Sequence, residues 1–135
     1  MRVAFCDGVT PYVVPITFGF KDDKIYFHSS PKGMKIDILK KNNKVCFEID
    51  VDAEIIPGDT PCKYEVKYRS IIGFGYAHIL YDEQEKTNGL NILMGHYAQG
   101  PFSYDTKNVK RACIIRIDIE TITGKQYGFE TNETD

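Results

Sequence analysis

The stretch from Ile25 to Val45 reads IYFHSSPKGMKIDILKKNNKV: a β-like run, a hydroxyl-rich turn, then the start of a short helix bearing lysines. That combination can hold an anion, because free N–H groups at a helix N-terminus, the Ser29 and Ser30 hydroxyls and the Lys35 ammonium can converge on one point. The same residues would also make an ordinary capped helix with solvated lysines, and spacing alone leaves both open. His28, at the end of the β-like run, is the residue there whose side chain suits proton transfer near neutral pH. Its alternative is a strand-end histidine whose ring nitrogens bond nearby carbonyls. The three histidines (His28, His78, His96) are isolated, with no pair at metal-ligand spacing, so no metal site is expected. Cys6, Cys46 and Cys113 sit in apolar stretches and are expected to be free and mostly buried, whereas Cys62 lies in a polar loop beside Pro61 and Lys63. No nucleophile triad or acid–base dyad is visible, which leaves a hydrolase without machinery.

These residues need elements to position them, and the pattern is chiefly β. Arg2–Cys6, Tyr12–Phe20, Lys24–His28, Lys44–Val51, Lys67–Tyr81 and Ala112–Ile122 read as strands. Pro15 marks an edge or a bulge in the second, and Gly73 and Gly75 a bend or a close neighbour in the fifth. Residues Gly33–Lys41 read as a short helix with Ser29 and Ser30 as capping hydroxyls. Glu83–Tyr97 reads as a second, with Leu90, Leu93, Met94 and Tyr97 at i, i+3, i+4 and i+7. Residues 52–61 and 100–110 read as loops. Helices do not alternate with strands, which excludes a doubly wound sheet, and a closed antiparallel barrel with peripheral helices fits the order.

The chain has 135 residues, one domain's worth, with 42% hydrophobic and 27% charged residues and a net charge of −2. That balance carries no dominant positive field for nucleic acid, and no apolar run suits a bilayer crossing. The first residues have no signal-peptide anatomy, so a cytoplasmic address is expected.

PYVVPITFGF, IYFHSSPKGMK with Leu39 after it, KVCFEID, PCKYEVKYRSIIGFGYAHIL and IRIDIETITGK together resemble the flavin mononucleotide-binding split barrel. More narrowly they are similar to the nitroimidazole-resistance (nitroimidazole reductase) branch of the pyridoxamine 5′-phosphate oxidase-related proteins. The resemblance covers nearly the whole chain through several weak motifs in the right order. It implies a mainly β fold, a six-stranded antiparallel split β-barrel with two peripheral helices, spanning residues 1–127 as one FMN-binding domain. An acidic tail, 128–135, is expected to fray. It further implies that Val14, Pro15, Ile16 and Thr17 run past the isoalloxazine and that His28 and Ser29, with Ser30 after them, border the ring and ribityl-phosphate. Met34 and Lys35 would stand where the family places an Arg-Lys pair on the phosphate, so Met34 removes one charged contact. Ser70 matches a polar position that reaches the flavin. Relatives usually carry a helix before the first strand, whereas this chain opens with Met1-Arg2-Val3-Ala4-Phe5. The implied activity is reduction or oxidation of a small molecule by an FMN-dependent homodimer with FMN at the protomer interface and His28 as the candidate catalytic residue. The alternative is a protein that binds a flavin, or another cofactor such as haem or a deazaflavin, without turnover.

Overall fold

The structure is a computed structural model and describes residues 1–129. Strands β1 (Arg2–Cys6), β2 (Pro11–Pro15), β3 (Gly19–Lys21) and β4 (Lys24–Ser29) lead into helix α1 (Met34–Lys41). Two long strands follow, β5 (Lys44–Ile56) and β6 (Glu65–Leu80), then helices α2 (Glu83–Gly95) and α3 (Thr106–Arg111), and strand β7 (Cys113–Tyr127) closes the order. Every strand pairing is antiparallel, in the order β2-β1-β5-β6-β7-β4-β3.

That order forces the sheet to curl. Strands β2 and β3 occupy opposite edges, yet only residues 16–18 join them. Laid flat, seven strands at about 4.8 Å spacing would hold the outer two about 29 Å apart. The joining segment reaches at most about 14 Å. The curled sheet wraps one core that includes Phe5, Phe27, Phe47, Ile115 and Ile117. The Phe47 ring lies directly against Gly73, and Gly75 against the Asp118 carbonyl, so neither position has room for a Cβ. Helix α1 covers one end of this core with Ile36, Ile38 and Leu39. Helix α2 lies over a satellite cluster of Tyr26, Leu80 and Ile114.

The fold is the mainly β, antiparallel split barrel expected, and the ladder does not close into a full ring. Three features differ from the sequence expectation. The run Tyr12–Phe20 is two strands, because the chain leaves β1 after Pro15 and the Ile16 N–H bond to the Met1 carbonyl, and re-pairs with β4 only from Gly19. The loop expected at 52–61 is partly strand. Strand β5 continues to Ile56 past a bulge between Val51 and Glu54, where Asp52 takes a φ of 57°. The polar stretch 100–110 contains α3, capped at Asp105, whose side chain accepts from the Lys107 N–H. Of the expected tail, Gly128 and Phe129 are described, with the Phe129 ring under Arg69 (3.6 Å) and near Lys67 (4.3 Å). Residues 130–135 lie outside the described residues.

Candidate functional site

The gap in the barrel is the place where the expected residues other than Ser70 gather. Strand β3 pairs with β4 through Gly19–Tyr26, Phe20–Ile25 and Lys21–Lys24. Continuing that register backwards would set Thr17 against His28 and Ile16 against Ser29, but no ladder forms there. Instead β2 is paired on one side only, with β1, and the Phe27–Ser29 end of β4 only with β7. Two backbone edges with unspent N–H and C=O groups therefore border one split. Val14 and Ile16 are half-buried against the core, while Pro15, Thr17 and His28 are exposed. No hydrogen bond or ion pair involves the His28 ring among the described residues, so the expected strand-end carbonyl partners are not found there.

Helix α1 begins five residues beyond β4. The serines do not cap it. Its N-cap is Gly33, at a φ of 115° that favours glycine, and no side chain bonds the first turn. The buried Ser29 hydroxyl donates to the Ser30 carbonyl (2.9 Å), and Ser30 Oγ accepts from the Lys32 N–H (3.3 Å). The turn is thus folded on itself, which leaves early N–H groups of α1 available. Met34 is exposed and lines an adjoining groove of about 370 Å³ with Tyr12, Asp37 and Lys41. Lys35 is half-buried, in no ion pair of the described residues, and close enough to act on the Cys113 thiol, whose residue pairs with Ser29. Burial pushes that thiol up from its ordinary value, and the Lys86 and Lys35 ammoniums pull it partly back. The geometry therefore collects Val14–Thr17, His28, Ser29, Ser30, Met34 and Lys35 along one split and the helix end beside it.

Ser70 is not brought there. It lies on β6 opposite Asp50 and Lys125, with β1 and β5 between it and β2, roughly 14 Å across at the usual strand spacing.

Two side chains support the split in a role the sequence did not signal. The Phe20 N–H donates to His96 Nε2 (2.8 Å), and the Tyr97 hydroxyl stands 3.3 Å from both the N–H and the carbonyl oxygen of Phe18. The end of α2 thereby holds the segment that joins β2 to β3. Gly19 rests on the α2 backbone so closely that an added Cβ would stand 2.5 Å from the Ile92 carbonyl oxygen. Tyr97 was legible as part of the apolar stripe, but not as a hydrogen-bonding residue. The four cysteines are free, Cys113 buried, Cys6 and Cys46 only half-buried, and Cys62 exposed. Among the described residues no helix is long and apolar enough to cross a membrane.

Similarity to known proteins bears on the fold and the family. A proposed 5-nitroimidazole antibiotic resistance protein of Bacteroides thetaiotaomicron is 32% identical, superposes with a TM-score of 0.81, and is matched over 91% of this chain and 74% of its own. The FAD and haem binding protein of Mycobacterium smegmatis has a TM-score of 0.83 over 98% of this chain and 67% of its own, at 16% identity, a likeness of fold alone. An uncharacterised protein of Rhizobium meliloti is 42% identical over 48 residues, which is 36% of this chain and only 31% of that relative's length. The family model described as pyridoxamine 5′-phosphate oxidase matches residues 1–126, and the chain therefore belongs to the pyridoxamine 5′-phosphate oxidase family.

Proposed function

We propose that this chain is an FMN-binding flavoprotein that acts as a homodimeric oxidoreductase on a small molecule, in the manner of nitroimidazole reductases. The observation that carries the proposal is the split itself: two unpaired backbone edges border it beside a helix N-terminus that no side chain caps and a lysine without a carboxylate partner among the described residues. The backbone groups of Val14–Thr17 that β1 does not engage suit the polar rim of a flavin ring, with Pro15 bringing an acceptor only and the Ile16 N–H already bonded to the Met1 carbonyl. The N–H groups of Met34 and Lys35, with the Lys35 ammonium, suit one terminal phosphate, which favours a mononucleotide. The residues present therefore fit the cofactor, with Met34 in place of a second cation. A bound flavin would supply the electron transfer, and the chain supplies position and electrostatics. His28, exposed like Thr17, is the group that would hold or deliver a proton to the substrate.

Cover for the ring would come from a second copy. Val13, Ala4, Cys46 and Phe74 stand in one cross-strand row on the outer wall of the barrel, and Val13 (58% exposed) and Phe74 (45%) leave it apolar toward solvent. A two-fold dimer over this wall would shield both splits and could offer Ser70 from the partner, which its own chain cannot bring to the ring. The four free cysteines support a cytoplasmic address. The test is the spectrum of the purified protein with added FMN. Binding with a flavin spectrum altered from that of free FMN is expected, and a chain that ignores FMN overturns the proposal.

A further inference from the structure

Away from the split, a cleft of about 240 Å³ opens between α1, the β6–α2 turn and the end of α3. Four cations line it, Lys40, Lys86, Lys110 and Arg111, and no carboxylate does. Lys86 is the unusual one. It is only 8% exposed, a position lysine almost never takes without a counter-charge. Its ammonium donates to the Lys110 carbonyl (3.0 Å) and approaches the Val109 carbonyl (3.5 Å), both at the C-terminal end of α3. Those contacts account for at most two of its three N–H groups. The two acids nearest it on α2 are already engaged, Glu83 with Lys110 (3.4 Å) and Glu85 with Arg116 (3.5 Å). Among the described residues Lys86 therefore has no ion-pair partner, although a buried ammonium is costly without one.

A concave site walled by one sign of charge concentrates ions of the other sign. At roughly 30 Å³ per water, the volume exceeds that of a bare ion and admits a small organic group as well. Arg111 adds a guanidinium fork suited to paired oxygens, and two further ammoniums favour a dianion over a monoanion.

We propose that this cleft is a second binding site, separate from the flavin split, for a phosphate-bearing small molecule held by Lys86, Arg111 and Lys40. The probe is inorganic phosphate, titrated into the isotopically labelled full chain and followed by amide chemical shifts, with acetate as the monoanion control. Saturable shifts at Lys86, Lys110, Arg111 and Ala112 are expected, with acetate at least tenfold weaker. Arg111→Gln, an exposed position that leaves α3 intact, should weaken phosphate at least tenfold, and Lys86→Met should abolish the effect. Absent or unsaturable shifts, shifts confined to Gly33–Lys35, equal acetate binding, or an unchanged Arg111→Gln titration would each overturn the proposal. None of these outcomes depends on whether the split binds FMN.

Discussion

Lys35 and Met34 stand at the open end of α1, where one residue carries charge and the other does not. The Lys35 ammonium is half-buried and unpaired among the described residues, so a phosphate there would gain a charge-assisted hydrogen bond that no internal carboxylate competes for. Lys35→Ala should weaken FMN binding by about 1.5 to 3 kcal/mol, the range for a bond to a charged group. Met34 is 54% exposed and can accept a longer polar side chain without disturbing the core. Met34→Arg should therefore strengthen FMN binding, and fluorescence titration of both variants reads the two effects. If neither affinity moves, the phosphate is not held at α1. His28 is a separate case, because its exposed ring has no hydrogen bond to hold it among the described residues. His28→Ala should slow turnover while leaving FMN occupancy nearly intact. Equal losses in rate and occupancy would reduce it to a positioning residue, and an unchanged rate would remove it from the reaction.

At the scale of elements, the split depends on how α2 grips the β2–β3 connection. Gly19 meets the α2 backbone at Ile92 and Leu93, and backbone cannot step aside as a flexible side chain can. Gly19→Ala should cost about 1 to 3 kcal/mol through overpacking, seen as a lower midpoint in thermal unfolding. Gly95→Ala on the same helix meets open space and should be neutral or stabilising by up to about 1 kcal/mol. Equal losses in both variants would contradict the grip. Strands β1, β4, β6 and β7, the first part of β5, and helices α1 and α2 were legible, because apolar periodicity and turn residues agree with what each element buries. The break at residues 16–18 was not, since only the distant partners β1, β4 and α2 decide where YVVPITFGF leaves one ladder and joins another. Helix α3 was hidden because six residues with one buried position, Val109, carry no period. Beside the split, the hydroxyl-rich turn suggested capping by Ser29 and Ser30, and the structure overturns it: Gly33 at positive φ takes the cap position, and the hydroxyls bond within their own loop. Lys86 escaped notice because a lysine on an amphipathic helix ordinarily faces water.

For the whole molecule the question is what covers the outer wall of the barrel. Strands β5, β6 and β7 run on past the core as a ribbon, and most residues of its outer reaches are exposed. On β6, Ile72, Phe74 and Tyr76 fall on one face at 46, 45 and 40% exposure, in register with Glu48, Cys46 and Lys44 on β5. Arg2 bonds Glu48 and Asp50 on one flank, and Lys44 bonds Glu120 on the other, so the apolar row lies between two charged margins. An apolar centre with a polar rim is what the proposed dimer interface would need. A symmetric dimer over this face would bury the row against itself and bring each copy's Ser70 within reach of the other's split. Phe74→Glu places a charge at the centre of that row while leaving the barrel interior untouched, because even-numbered residues here point outward and Gly73 and Gly75 point in. In sedimentation velocity the parent chain should run as a dimer and the Phe74→Glu chain as a folded monomer with an unchanged circular dichroism spectrum. FMN affinity should fall at least tenfold in the monomer, about 1.4 kcal/mol or more, if the partner shields the ring. A variant that is still a dimer would move the interface elsewhere, and a monomer that binds FMN as tightly as the parent would show that one chain encloses the cofactor alone.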